Sequence, residues 1–349
     1  MSLFSPIRRL LLKHPRLDYL AKRLRTLNLD YVGQLLHRGK YPSRFGGMWT
    51  DRSDYPQILP RKLARGTISE GDQERLEHWR RDGYVILNSL IPPETIDAYL
   101  TELQELRSRQ PSPLLLTGAS FTGAQPYSAR QEFENRSVRT VDDYFLCQPS
   151  RRILLHPGIT RFLNLVFERP PLLTQSLHFR FGSQQPIHRD TAFVRMNSPM
   201  SMAACWVALE DIEPGSGELL YCPGSHHWED FLFHGRYLYW SESRDGESAL
   251  DDYHAWLHDK AYADGRSPTR FLPRKGDVLI WHAALAHGGA AIANTGRTRL
   301  SLVGHFCPVG VRPLYHYSSP ASRTVYHSEL GRYTSWYYPR EGGPPGNPQ

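Results

Sequence analysis

Long apolar runs are missing from this 349-residue chain, and with them the roughly 20 consecutive apolar residues that a membrane-spanning helix needs. Arg8 and Arg9 followed by Leu10, Leu11 and Leu12 mimic the start of a secretion signal. Lys13, His14, Pro15 and Arg16 cut its apolar part short, so a cytoplasmic location is expected. Cysteine is scarce. Cys147, Cys205, Cys222 and Cys307 share no CxxC or zinc-ribbon spacing, which excludes a disulfide framework and leaves buried, reduced thiols as the expectation. Repeats are absent, and the one biased tract is the Gly/Pro tail 341–349, expected to be disordered. Positive charge is absent from most of the chain despite a total of +7. Residues 1–70 hold 14 Lys and Arg against 5 Asp and Glu, a net +9, which leaves −2 for the remainder. A long-range pull on nucleic acid by the larger part of the chain is therefore excluded.

What is present begins with a basic N-terminal helical arm, residues 1–66. Leu17, Leu20, Leu24 and Leu27 recur at the period of one helix face. Such a helix either packs on the main domain or lies on an anionic membrane or partner, giving peripheral membrane contact. Residues 39–66 read as an irregular connection. Thr67 with Glu70 fits a capping box opening a helix to Arg81. Asp82-Gly83 turns into a strand, Tyr84 to Leu87, and Pro92-Pro93-Glu94 opens a helix to about Arg107. Residues 108–150 show little periodicity, and 151–168 read as helix. From about Thr174 short strands follow, at 177–181, 203–209, 218–221, 277–281 and 299–306, separated by Gly and Pro clusters. That texture predicts a mainly β domain over 67–310, a double-stranded β-helix (jelly roll, cupin-like) with flanking α-helices. An aromatic insertion at 229–272 reads as either a packed excursion or a lid. Residues 311–349 form a C-terminal extension.

The chemistry sits in His188-Arg189-Asp190. Residues i and i+2 of extended chain point to one side, so both side chains can reach one ion. A third ligand has to come from a distant strand, and His287 in Ala286-His287-Gly288-Gly289 follows an apolar one. Two imidazoles and a carboxylate on one face leave open positions suited to Fe(II). His-Arg-Asp also occurs in protein-kinase catalytic loops, but the chain has no glycine-rich loop, strand lysine or Asp-Phe-Gly in the matching places.

From about Ser69 to Phe306 the sequence resembles the phytanoyl-CoA dioxygenase family, which includes ectoine hydroxylase. The likeness rests on Arg81-Asp82-Gly83-Tyr84-Val85-Ile86-Leu87, Gln185-Pro186-Ile187-His188-Arg189-Asp190, Trp206 to Asp211, Gly217-Glu218-Leu219, Pro223-Gly224-Ser225-His226, Gly276-Asp277-Val278-Leu279 and His287-Gly288-Gly289. It implies a 2-oxoglutarate-dependent dioxygenase, a hydroxylase using Fe(II), 2-oxoglutarate and O2 and releasing succinate and CO2. His188, Asp190 and His287 would be the metal ligands. Trp206 matches a co-substrate contact, and Gln185 and Thr191 are further cofactor-binding candidates. An arginine would anchor the far carboxylate of 2-oxoglutarate. Arg297 and Arg299 both qualify, and aligning the strand end His305-Phe306 favours Arg299. A guanidinium suits the task because its fork pairs bidentately with a carboxylate. Asp190 occupies the place that halogenating relatives leave without a carboxylate, so the resemblance implies hydroxylation over halogenation.

The substrate is not readable beyond a small molecule, with the basic arm making an anionic or lipid-linked one a candidate. Two rival functions compete: a cupin-like metal-dependent isomerase or lyase, and a metal-free jelly-roll binding module. The packing reading is preferred for His282, and a loop-fixing one for His226 and His227. Gln184 and Arg189 are left between pocket and structural roles.

Overall fold

The computed structural model describes residues 38–118, 123–314 and 324–339. The leucine-rich stretch 17–27 and the tail 341–349 lie outside them. In chain order the helices and strands are α1 (Tyr55–Ala64), α2 (Glu70–Asp82), β1 (Tyr84–Leu87), α3 (Pro93–Ser108), β2 (Leu115–Thr117), β3 (Gln125–Pro126), α4 (Ala129–Glu134) and β4 (Arg139–Val141). There follow α5 (Gln148–Leu154), α6 (Pro157–Phe167), β5 (Pro171–Phe179), β6 (Ala203–Ala208), β7 (Leu219–Tyr221) and α7 (Glu242–Tyr262). The chain continues with β8 (Thr269–Phe271), β9 (Val278–His282), β10 (His287–Gly289), β11 (Ser301–Pro308), β12 (Tyr326–His327) and β13 (Arg332–Tyr333).

Local chemistry explains several boundaries. α2 opens on Ser69, whose hydroxyl accepts from the Asp72 N–H while Asp72 accepts from the Ser69 N–H. The expected pairing of Thr67 with Glu70 is displaced by this box two residues on. Gly83, at φ 81°, ends the helix in the left-handed conformation that a Cβ disfavours and hands the chain to β1. The stretch read as one helix over 151–168 is two, because Pro157 starts a new first turn after His156. The connection 39–66 contains α1, and 108–150 holds β2, β3, α4 and β4, elements too short to set up a period.

The larger sheet runs β1-β9-β6-β11-β5-β4-β2-β3, with β13 joining β5 in parallel and β12 pairing β13. The smaller sheet is β10-β7-β8. Strand alternation divides the apolar side chains between two layers. Ala203, Cys205 and Val207 of β6 face a core with Leu76 and Trp79 of α2, Ile96, Tyr99 and Leu103 of α3, and Phe162 of α6. Ala204, Trp206 and Ala208 face the other way, packing with Leu219, Tyr221 and Phe271 of the smaller sheet. Two largely antiparallel sheets enclosing one interior, helices covering the outside of the larger, make the expected jelly roll. Among the described residues no helix is long and apolar enough to cross a membrane, and all four cysteines are buried and unpaired.

Candidate active site

The interior opens into a cavity of about 770 Å³. Its centre is set by one backbone exchange: the N–H of His188 donates to the carbonyl of His287 at 2.8 Å, and that of His287 to His188 at 2.9 Å. This pairing brings the two imidazoles side by side, ring centres 4.4 Å apart. Gly288 and Gly289 make it possible. A Cβ on Gly288 would stand 2.9 Å from the Gln185 carbonyl oxygen, and one on Gly289 2.8 Å from the Gln184 nitrogen, so larger residues would push the segment carrying His188 away from β10.

Ligand atoms of His188, Asp190 and His287 lie within 4.8 Å of one another, all three residues buried. Nδ1 of His188 lies 2.8 Å from the Pro186 carbonyl and Nδ1 of His287 2.9 Å from that of Leu285. A carbonyl only accepts, so each Nδ1 carries a proton, which leaves Nε2 as the atom each ring can offer a metal. Burial, then the neighbouring His287, pushes His188 down to about 3, which keeps it neutral. Burial alone would raise the Asp190 carboxyl; His287 and then His305 outweigh it and hold the group below the usual carboxylate range. The indole N–H of Trp281 donates to Asp190 Oδ2 at 2.8 Å, while Oδ1 lies 3.7 Å from His287 Nε2 and 3.6 Å from His305 Nε2. A carboxylate and two imidazoles converging on one point are a donor set that fits a divalent iron.

Arg299 lines the cavity and is buried, whereas Arg297 is exposed. Its guanidinium donates to Ser301 Oγ at 2.6 Å and lies 5.3 Å from the Phe179 ring centre and 5.5 Å from that of Trp206. Nε has no partner, and burial brings the group down to about 10. Trp206 and Gln185 also line the cavity. Thr191 does not: it is buried, its N–H directed at the Ala283 carbonyl. Arg189 turns away, donating to the carbonyls of Ser225, Trp228 and Glu229. Gln184 accepts from the Ile292 N–H. His282 faces Asp51, and the Nε2 atoms of His226 and His227 sit against the Arg80 carbonyl.

Spacing does not point to several residues at the site. Trp281 and His305 reach Asp190 from β9 and β11, and Arg139, Gln175 and Tyr337 line the cavity from β4, β5 and the C-terminal segment. The in-phase run Gln175, Leu177, Phe179 was the one signal available for Gln175. From the 229–272 insertion, Trp240, Glu242, Glu247, Leu250 and Asp251 complete the wall.

The family pattern described as phytanoyl-CoA dioxygenase (PhyH) matches residues 79–300. Among solved structures, the carbocyclase SnoK of nogalamycin biosynthesis superimposes with a TM-score of 0.51 at 18% identity, covering 76% of this chain and 97% of that one. The epimerase SnoN, in complex with Fe3+, alpha ketoglutarate and nogalamycin RO, gives 0.50 at 20%, covering 70% and 87%. EctD from S. alaskensis with bound Fe gives 0.49 at 17%, covering 70% and 79%. The SnoK and SnoN likenesses are ones of fold: they share the two-sheet architecture. No curated protein matches the sequence.

Proposed function

The chain belongs to the phytanoyl-CoA dioxygenase family, and from that premise we propose that it is an Fe(II)- and 2-oxoglutarate-dependent oxygenase hydroxylating a small-molecule substrate. One observation carries the reading: His188, Asp190 and His287 converge in the same cavity as a buried arginine that has no carboxylate partner among the described residues. Bound there, Fe(II) with 2-oxoglutarate and O2 supplies the oxidising power, with succinate and CO2 as products. The protein's part is positioning and exclusion of water. His188 and His287 hold the metal through Nε2, and Asp190 through Oδ1, because Oδ2 is engaged by Trp281. Arg299 takes the far carboxylate of 2-oxoglutarate, its fork held by Ser301 and its faces covered by Phe179 and Trp206. Gln185, at the cavity wall, borders the co-substrate. The helical insertion carrying Trp240 and Leu250 acts as the lid.

The test is spectroscopic. Without oxygen, protein with Fe(II) and 2-oxoglutarate should show a visible charge-transfer band that His188→Ala abolishes. Arg299→Gln should keep the band only at 2-oxoglutarate concentrations raised at least tenfold. No band from the wild-type protein rejects the proposal, as does 2-oxoglutarate binding indifferent to Arg299.

A further inference from the structure

Resting on the oxygenase reading, we infer that the primary substrate is a small carboxylic acid whose carboxylate pairs with Arg139, and not an acyl chain linked to coenzyme A. Arg139 stands on β4, in register with Thr117 of β2 and Phe179 of β5. Its guanidinium lies 5.8 Å from the Phe179 ring centre, the ring that Arg299 also covers at 5.3 Å. The two arginines of the cavity wall thus both stand against one aromatic ring. With Arg299 engaged by the co-substrate, Arg139 is the second cation. It has no ion pair among the described residues, and its Nε is buried without a partner. Burial lowers the guanidinium below its ordinary value, and Tyr337 works against that without supplying a carboxylate. The groups beside it along the wall, Thr117 and Tyr337, are neutral hydrogen-bonding side chains suited to the second oxygen of a bound carboxylate.

The lid helix limits the rest of the molecule. Glu242, Glu247 and Asp251 of the lid helix line the cavity and are exposed at its solvent side. A single carboxylate can pass them to reach Arg139. A polyphosphate tail left at the mouth would face three like charges. Leu177, Val303 and Phe193 supply apolar wall for the body of the substrate.

Three probes test this on the anaerobic protein loaded with Fe(II) and 2-oxoglutarate, by calorimetric titration: 4-phenylbutyrate, 4-phenylbutanol and 4-phenylbutyryl-coenzyme A. The acid should bind at least tenfold tighter than the alcohol and no weaker than the thioester. Arg139→Gln should erase the preference for acid while changing 2-oxoglutarate affinity less than twofold, and Arg139→Lys should restore part of it. The combined exposed variant Glu242→Gln, Glu247→Gln, Asp251→Asn should bind the thioester at least tenfold tighter than wild type, a readout that stands even if Arg139→Gln does not fold. The inference is overturned by an acid no tighter than the alcohol, whether both bind or neither does. It is equally overturned by a preference that survives Arg139→Gln, by 2-oxoglutarate affinity that falls with Arg139, or by a thioester indifferent to the rim. Failure of the wild-type protein to bind 2-oxoglutarate would instead count against the oxygenase reading, and the acid-to-alcohol comparison can be repeated without it.

Discussion

The indole nitrogen of Trp281 sits 2.8 Å from Oδ2 of Asp190, so one carboxylate oxygen is spoken for before any metal arrives. That contact fixes the rotation of the carboxylate and leaves Oδ1 facing His287 and His305. A Phe at position 281 would keep most of the packing against His287 and remove the donor.

Trp281→Phe should therefore weaken Fe(II) binding by about 10- to 100-fold, the usual range for losing a group that orients a metal ligand. Folding should be affected by no more than about 1–3 kcal/mol. Competitive Fe(II) titration beside a urea melt separates the two. Unchanged metal affinity would mean that the hydrogen bond does not orient Asp190.

Arg189 lies between two proposed ligands yet serves the loop behind them. Its guanidinium holds the carbonyls of Ser225, Trp228 and Glu229, an arrangement that a lysine's single ammonium cannot reproduce. Arg189→Lys should cost about 2–4 kcal/mol of stability. Denaturant melts would show it, and a variant as stable as wild type would refute it.

Gly276 has φ 91°, and a Cβ there would lie 2.3 Å from the carbonyl oxygen of Ile91. The same turn accepts the Ile91 N–H at the Gly276 carbonyl. Neither backbone can retreat without giving up that bond. Gly276→Ala should destabilise by about 2–4 kcal/mol, combining backbone strain with overpacking. A melting temperature equal to wild type would contradict this.

Asp142 is buried, and burial pushes its carboxyl up from 3.8 to about 7, although Ser335 and the Ser176 N–H bond to it. Below about pH 4 the group is protonated folded or unfolded. Between about 4 and 7 the unfolded chain releases a proton that the folded chain keeps, so stability falls as pH rises through that window and is level above it. The loss attributable to this group is up to roughly 4 kcal/mol. Asp142→Asn should flatten the decline when unfolding midpoints at pH 5, 6, 7 and 8 are compared with wild type. An equal slope in both proteins would exclude Asp142 as its source.

The parts of this fold that were legible in the sequence are those long enough to repeat a pattern. β6 alternates faces over six residues, and β1 is read to the residue because Gly83 and the Tyr-Val-Ile-Leu run mark both ends. The capping of α2 was ambiguous, since Thr67/Glu70 and Ser69/Asp72 overlap at the same spacing and only tertiary context selects one. α7 carried a readable signal, with Tyr253, Leu257 and Ala261 four apart, that the aromatic content of the insertion obscures. At the site, i and i+2 geometry places His188 and Asp190 on one side, and a glycine pair after His287 marks where backbones meet. Arg139 was invisible for a different reason. Its strand is three residues long and joins the sheet only through long-range pairing with β2 and β5, and no local pattern encodes a partner that distant.

β11 lies between β5 and β6, carries His305 and Val303 into the cavity, and begins one residue after the family-matched stretch ends. Tyr337 closes the wall from still further along, tethered through Ser335 to Asp142. A fragment trimmed to the recognisable homology would thus be a barrel with a stave pulled out of its middle, and inactivity of such a fragment would say nothing about the chemistry of the whole.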